Sequence, residues 1–594
     1  MSPRKSNEGH KSRNISARSP ENSQSYTTSK FNRDSRGAAV NDAGNADLRT
    51  KIVLALFIAL ALIGVLRLGY IQIFEGENWR NQAKESRTIS YIPTPERGTI
   101  YDRDGDVLAI SVDASTVYVH PHEVKDVYKA SNELAQILGG DSSYYAGIVS
   151  DTTTPFNYIV RQIDVEVGET IKEKNIPGVY VSEDTARYYP FGEVGAQVIG
   201  IVNQDGIGQT GLELYYDDVL TGTEGKVETE QGVGGIPMPQ ADSDSLAAVD
   251  GRDIALTIDI DLQAHVEQAI AKGQEQFLSK TSSSMVIDSK TGEIYAAACT
   301  PGFNANDRST IETGAETTLS PITSLLEPGS VFKTVSAVSV LESKTMKPED
   351  TIDCPSVIYA DEYEVADAWE RDDQTFTFEE VLAYSSNVGI SLSVEDMGDD
   401  FRAFYDSIGD SKFCQLTDVD YPGENSGSLL EYNLLSNIAK YNMTFGQGLS
   451  VTPLQLTSYY GALNNDGLWS QPHFLLDIPT DNSRPEFSQE QIIDDKQALE
   501  DVNSMLKSVV EYGTGVNAAV EGHTVAGKTS TAQFAENGVY VDGAYNINFV
   551  GFLPNSSTDL VCYTGLENVY GGISTGIFSD IMSYVVEEYG IVEY

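Results

Sequence analysis

The sequence predicts an α+β protein tethered to a membrane by one N-terminal helix, and three observations carry that prediction. One apolar run, Ile52 to Phe74, is long enough to cross a bilayer as a helix. Beyond it, short strands, turns and amphipathic helices alternate without an internal repeat, the mark of mixed layers around sheets. A chain of 594 residues also exceeds what one hydrophobic core organises, so two or more domains are expected.

Residues 1–50 are rich in Ser, Asn, Arg and Lys with no apolar pattern, and are expected to be a disordered cytoplasmic tail. Residues 51–74 form the transmembrane signal anchor. The cations before it, Arg4, Lys5, Lys11, Arg13, Arg18, Lys30, Arg33, Arg36, Arg49 and Lys51, hold the N-terminus in the cytoplasm and send the rest outward. A cleaved signal peptide fits less well: Ala59-Leu60-Ala61 sits inside the apolar run, and the basic region before it is too long. Arg67 is costly in lipid unless it snorkels outward or meets a neighbouring membrane helix.

From 90 to 240 the chain predicts a mixed α/β domain. Arg97-Gly-Thr-Ile-Tyr-Asp-Arg-Asp-Gly-Asp-Val-Leu-Ala109 suggests two strands joined at Asp104-Gly105, a favoured hairpin turn. Arg187-Tyr-Tyr-Pro190 and Gly211-Leu-Glu to Gly222 punctuate this region without forming a catalytic set. Gly234 to Pro239, on to Asp250-Gly251, reads as a boundary. The second domain, 255–594, opens with a helix whose buried stripe is Leu262, Val266 and Ile270. Two strands around a turn ending in Gly292 follow.

Composition narrows the function. A formal charge of −49 repels phosphate backbones, so no nucleic-acid partner is expected. The acidic residues are dispersed, the six histidines include no H-E-x-x-H pair, and Cys299, Cys354, Cys414 and Cys562 have no zinc spacing. No metal and no organic cofactor is implied. Outside the cell the four cysteines are compatible with disulfides or with buried free thiols.

The sharpest segment is Leu326-Glu-Pro-Gly-Ser330-Val-Phe-Lys333. Pro328 and Gly329 break the preceding structure, and a helix is expected from about Ser330, with Val331, Val335, Val338 and Leu341 buried. Ser330 and Lys333 then share a helical face. A partly desolvated lysine gives up its proton readily and can act as the base a serine nucleophile requires. Two further segments add to it. Ser385-Ser-Asn387 offers a hydroxyl and an amide, and Gly522 to Gln533, containing Lys528-Thr529-Ser530-Thr531, reads as a strand pairing with Tyr545 to Leu553 beyond Asn537-Gly538.

Ser-x-x-Lys, Ser-x-Asn and Lys-Thr-Gly in this order resemble the signature of penicillin-binding proteins and serine β-lactamases. Glu327-Pro-Gly-Ser330, Ser385-Ser-Asn-Val-Gly389, Phe445-Gly-Gln-Gly448, Thr452-Pro453 and Asn548-Phe-Val-Gly551 resemble the class B, monofunctional branch, and Arg97 to Arg103 resembles the start of its pedestal. The resemblance implies a penicillin-binding-protein/serine β-lactamase-like transpeptidase domain behind the anchor and the pedestal (dimerisation) domain. It further implies a peptidoglycan D,D-transpeptidase, closest to the septal type. Ser330 would attack the penultimate D-Ala carbonyl of a stem peptide and Lys333 would take its proton. Ser385 would relay a proton to the leaving amine. Asn387 would hold the substrate amide and contact Lys333, and Lys528 and Thr529 would bind the terminal carboxylate. The oxyanion hole would use the backbone N–H groups of Ser330 and Thr531. β-Lactams would acylate Ser330. Partners would be a polytopic glycan polymerase and other division proteins, met through the membrane helix and pedestal. Ser530 stands where the family has Gly, adding a polar group expected to narrow the groove or alter β-lactam affinity.

Three rivals share parts of this signature. A class A enzyme would carry a Glu-Asp-x-x-Phe-x-x-His motif, whereas Glu183-Asp184 is followed by Thr185-Ala186-Arg187. A β-lactamase would need a water-activating base and no anchor or pedestal. A non-catalytic scaffold would not need to keep the catalytic side chains. Within class B, side-wall elongation is the alternative to division.

Overall fold

The computed structural model describes residues 43–85, 88–91, 94–230, 246–480, 484–536 and 539–594. The boundary segment at Gly234 to Pro239, the Asn537-Gly538 turn and most of the N-terminal tail lie outside these residues. Helix α1 (Ala43–Ile73) starts earlier than the expected anchor. Its first turns are extended by polar residues, among them a Lys51–Asp47 pair at 2.7 Å. From Ile52 to Ile73 it is largely apolar apart from Arg67 and exposed along its length, as a helix facing lipid is.

Residues 89–229 and 240–594 form a second unit. Strands β1 (Ile100–Tyr101) and β2 (Val107–Val119) are the expected antiparallel hairpin. Asp102 closes its turn by accepting hydrogen bonds from the N–H groups of Asp104 (2.9 Å) and Asp106 (2.8 Å). Helix α2 (Val127–Leu138), strand β3 (Asn157–Ile163), helix α3 (Val165–Lys174) and strand β4 (Val179–Tyr188) complete the upper pedestal. β3 and β4 flank β2, and Val117, Val119, Leu134 and Ile171 close a small core beneath them.

The three pedestal segments that looked unrelated in sequence meet at one buried carboxylate. Glu213 takes Arg97 Nε on one oxygen and Arg187 Nε on the other, both at 2.7 Å, and Arg97 also pairs with Asp217 at 2.7 Å. Glu213 is fully buried. Two guanidiniums facing two carboxylates repay each other's loss of water.

Strand β5 (Ile254–Leu256) runs parallel to β1 and antiparallel to the distant strand Leu475–Asp477. One sheet therefore passes from the hairpin near residue 100 to the strand at 475–477 without a break. Next come helix α4 (Ile260–Phe277), strands β6 (Thr281–Asp288) and β7 (Ile294–Cys299), and helices α5 (Lys333–Glu342), α6 (Phe378–Ala383), α7 (Asn387–Glu395) and α8 (Lys496–Glu511). Strands β8 (Ala526–Glu536), β9 (Val539–Phe552) and β10 (Leu560–Val569) and helix α9 (Thr575–Glu588) end the chain. The antiparallel sheet β8-β9-β10-β6-β7 carries α4 and α9 on one face, where Leu262, Val266 and Ile270 meet Phe549, Phe578 and Ile581. The other face, through Val550 and Tyr563, packs on the helical lobe around α5. Residues 333–341 of α5 are all buried, so the helix is enclosed on every side rather than on one stripe. The four cysteines are free thiols.

Candidate active site

The turn that carries Ser330 is fixed from behind. Gly329 (φ +56°) donates its N–H to Gly446 O at 2.9 Å, and Glu327 Oε1 accepts from Gly448 N at 3.0 Å. Gly446 has φ +79°, and a Cβ there would strike Gly329 O, so the Phe445-Gly-Gln-Gly448 segment is the bed of this turn. Residues Gly329–Phe332 form a 3₁₀ turn, and the α-helix begins only at Lys333. Three residues per turn place Ser330 and Lys333 in line.

Lys333 Nζ lies 3.1 Å from Ser330 Oγ, 3.0 Å from Ser385 Oγ and 2.6 Å from Ser385 O. Its side chain is fully buried. Desolvation pushes its pKa down to about 7, against a smaller upward pull from the carboxylate of Asp367. A neutral amine has two N–H donors and one lone pair. The charged form has three donors for these three oxygens; the neutral form, which burial favours, keeps two for Ser385 and turns its lone pair to the Ser330 hydroxyl.

Ser385 follows α6, whose N-terminus is closed by a capping box of Thr377 and Glu380. Ser385 adopts φ +60°, an uncommon state for a non-glycine residue, which turns its carbonyl as well as its hydroxyl toward Lys333. The neighbouring residues hold it there. Ser386 Oγ donates to Asp367 (3.0 and 2.9 Å to its two oxygens) and accepts from Gly389 N, while Val388 N donates to Asp367 Oδ1 at 3.1 Å. Asp367 is in turn paired with Arg371 at 2.6 Å, both buried. Asn387 Nδ2 donates to Ala366 O at 2.9 Å. The expected Asn387–Lys333 contact is thus replaced by one to the loop that carries Asp367, the donors of Lys333 being engaged by Ser385.

On β8, alternate residues face alternate ways. Lys528 and Ser530 are buried toward the helical lobe, and Thr531 is exposed toward the cavity mouth. Lys528 Nζ reaches Thr529 O at 3.1 Å, and burial together with the charge of Lys333 holds its pKa well below the usual lysine value. Thr529 Oγ1 lies 2.6 Å from Thr514 Oγ1. Ser530 Oγ donates to Pro328 O at 2.8 Å, so its hydroxyl is turned to the turn that carries Ser330. Ser330, Ser385, Asn387, Thr529, Ser530 and Thr531 line one cavity of ≈230 Å³, with the two lysines beneath its floor.

Residues 283–583 match the penicillin binding protein transpeptidase domain, and residues 92–256 the penicillin-binding protein dimerisation domain. Stage V sporulation protein D of Bacillus subtilis is 31% identical over 572 residues, covering 92% of this chain and 87% of that protein. The chain belongs to the penicillin-binding proteins. Other relatives include the probable peptidoglycan D,D-transpeptidase PbpC of Pseudomonas aeruginosa, 30% identical over 90% of this chain and 94% of its own length. Penicillin binding protein 3 of Mycobacterium tuberculosis in complex with aztreonam is 26% identical, with a TM-score of 0.66 over 84% of this chain and 97% of that one.

As a penicillin-binding protein with a transpeptidase domain, the chain is a serine-type acyltransferase of the D,D-transpeptidase class. Sequence reasoning missed two parts of this penicillin-binding protein's site. Asp367 and Arg371 stand four apart in an acidic loop that resembles solvated surface, and nothing local marks them as the support of Ser385-x-Asn387. Thr514 lies just beyond α8 and meets Thr529 only through the tertiary fold.

Proposed function

We propose that Ser330 cross-links peptidoglycan stem peptides through an acyl-enzyme, with Lys333 as its base. The observation that carries this reading is the buried amine of Lys333, poised near pH 7 and 3.1 Å from the Ser330 hydroxyl. Ser330 Oγ attacks the penultimate D-Ala carbonyl as its proton passes to Lys333. Ser385, 3.0 Å from the same amine, hands a proton to the departing D-Ala nitrogen. The N–H groups of Ser330 and Thr531 receive the oxyanion, about 3–4 kcal/mol per donor in comparable sites. Lys528 and Thr529 draw in the substrate carboxylate, and Asn387 orients the peptide amide.

We place the protein as a single-pass membrane protein with the catalytic domain outside the cytoplasm, working at the division septum. The basic stretch before α1 supports that orientation. Similarity to the peptidoglycan D,D-transpeptidase FtsI of Buchnera aphidicola, 29% identical over 90% of this chain, supports the septal role. Covalent labelling by fluorescent penicillin tests the chemistry. Ser330→Ala should abolish labelling without lowering the melting temperature, and persistent labelling would remove Ser330 as nucleophile. A fluorescent fusion distributed along the side wall would replace division by elongation.

A further inference from the structure

The sheet of the upper pedestal has two unlike faces. Helices α2 and α3 cover one through Leu134 and Ile171, and Val117, Val119 and Ile159 are buried beneath them. An open antiparallel face is ordinarily polar, yet the opposite face of this sheet carries rings. Tyr118 on β2 stands directly opposite Tyr158 on β3 and Tyr180 on β4, so three tyrosines form one row across three strands. Phe156 and His120, two residues along from Tyr158 and Tyr118, share that face. Ring centroids lie 5.4 Å apart for Phe156–Tyr158, 6.3 Å for Tyr118–Phe156, 5.6 Å for Tyr118–Tyr180 and 5.2 Å for His120–Tyr180, which makes one continuous patch. Phe156, Tyr158 and Tyr180 keep 42%, 52% and 41% of their surface exposed.

Size and charge limit what such a patch takes. It measures about 10 Å across its three strands and about 7 Å along them, far less than the ~800 Å² that each partner of a stable protein complex covers. Arg161, whose guanidinium lies 5.2 Å from the centre of the Tyr158 ring, is already paired with Asp205 at 2.7 Å. Two carboxylates border the row of tyrosines. Glu123 accepts the Tyr180 hydroxyl, and Asp184 accepts that of Thr116, which stands opposite the exposed Ser182 on the next rung. Those carboxylates repel an anion and accept hydrogen bonds from hydroxyl or amide groups.

The matching ligand is small in cross-section and uncharged, with flat C–H faces and a polar edge. A pyranose ring has this form. Its polarised C–H bonds stack on the negative face of an aromatic ring, and its hydroxyl and acetamido groups point outward in the plane. The width of the tyrosine row, about 10 Å, accommodates two such rings joined end to end.

We propose that this face of the pedestal binds the glycan strand of peptidoglycan, with two neighbouring aminosugars lying across Tyr158, Tyr118 and Tyr180. The choice of polymer rests on the transpeptidase reading, to which it adds a carbohydrate site outside the catalytic cavity. The stem peptides that Ser330 joins hang from that strand. A pedestal that holds the strand raises the effective concentration of its peptides at the enzyme without any new contact in the cavity.

The test uses the full-length, detergent-solubilised chain after penicillin treatment, which closes the cavity to stem peptides. It is titrated calorimetrically with two probes, the β-1,4-linked tetramer of N-acetylglucosamine and uncross-linked peptidoglycan strands. The parent should bind both. Tyr158→Ala/Tyr180→Ala should weaken both by at least about fivefold, whereas Tyr158→Phe/Tyr180→Phe, which keeps the rings, should stay within about twofold of the parent. The Ala variant should retain the parent's melting temperature and its labelling by penicillin; should it fold poorly, Tyr158→Ala alone takes its place, with a loss of at least about threefold. A parent that binds neither probe, as it would if the face served a protein, overturns the proposal. So does binding of the strands without the tetramer, which would locate the contact in the peptides, binding of the tetramer without the strands, or an Ala variant that binds as the parent does. A parent that penicillin fails to label removes the transpeptidase reading instead, and its titration with the tetramer still decides the sugar site.

Discussion

In the pedestal, Arg97 and Arg187 are buried against Glu213 and Asp217, cation matched to anion. In the catalytic domain, Lys333 and Lys528 are equally buried, yet among the described residues neither makes an ion pair; both have lowered pKa values instead. The first arrangement keeps charges fixed and holds segments together. The second leaves a charge that is costly to keep, and so favours release of the proton. Burial alone does not decide whether a cation keeps its charge; the partner does.

Changing each region should break this contrast in opposite directions. Lys333→Met should slow penicillin acylation by about 10³-fold while leaving the protein as stable or more so, because an amine without a counter-ion is removed. The pH dependence follows in sign. The folded pKa of about 7 lies below the ordinary lysine value, so from pH 7 to about 10.5 the unfolded chain binds more protons and stability rises with pH. Acylation by the parent should fall as the pH drops through 7, and the stability gained in Lys333→Met should be larger at pH 6 than at pH 9. Equal gains at both would contradict a neutral Lys333.

Glu213→Ala should do the reverse. It leaves two guanidiniums buried and costs about 3–5 kcal/mol in chemical denaturation, while the folded fraction acylates at the parent rate. Asp367→Asn tests where the two regimes meet, since this carboxylate is paired with Arg371 yet supports Ser386 and Val388. It should cost stability and also slow acylation about tenfold, more than a cap lost elsewhere would. Ser530→Gly should be mildest, about 1 kcal/mol for the hydroxyl bond to Pro328 O, with acylation within threefold. A larger change would give the Ser530 side chain a role toward the ligand beyond its bond to Pro328 O.

The sequence made visible what depends on local spacing. The Asp104-Gly105 hairpin, the α4 stripe, the pairing of β8 with β9 and the line-up of Ser330 with Lys333 all follow from turn chemistry or period. Hidden were features joining residues far apart. Arg97 and Glu213 are 116 positions apart, and Asp367 and Ser386 are 19 apart, with no periodicity linking either pair. The 3₁₀ form of the turn carrying Ser330 was hidden too, since its Gly329 is held against Gly446, more than a hundred positions along the chain.

The sheet joining β1, β5 and Leu475–Asp477 has a consequence for how the protein is made. The first of these strands leaves the ribosome long before the last, and pairing them closes loops of more than a hundred residues, a slow step in folding. During that wait the edge of β5 is bare and open to pairing with another chain. Folding of this enzyme is therefore most exposed to aggregation while the C-terminal half is still being synthesised, and a fragment cut free of the N-terminal strands would retain that vulnerability.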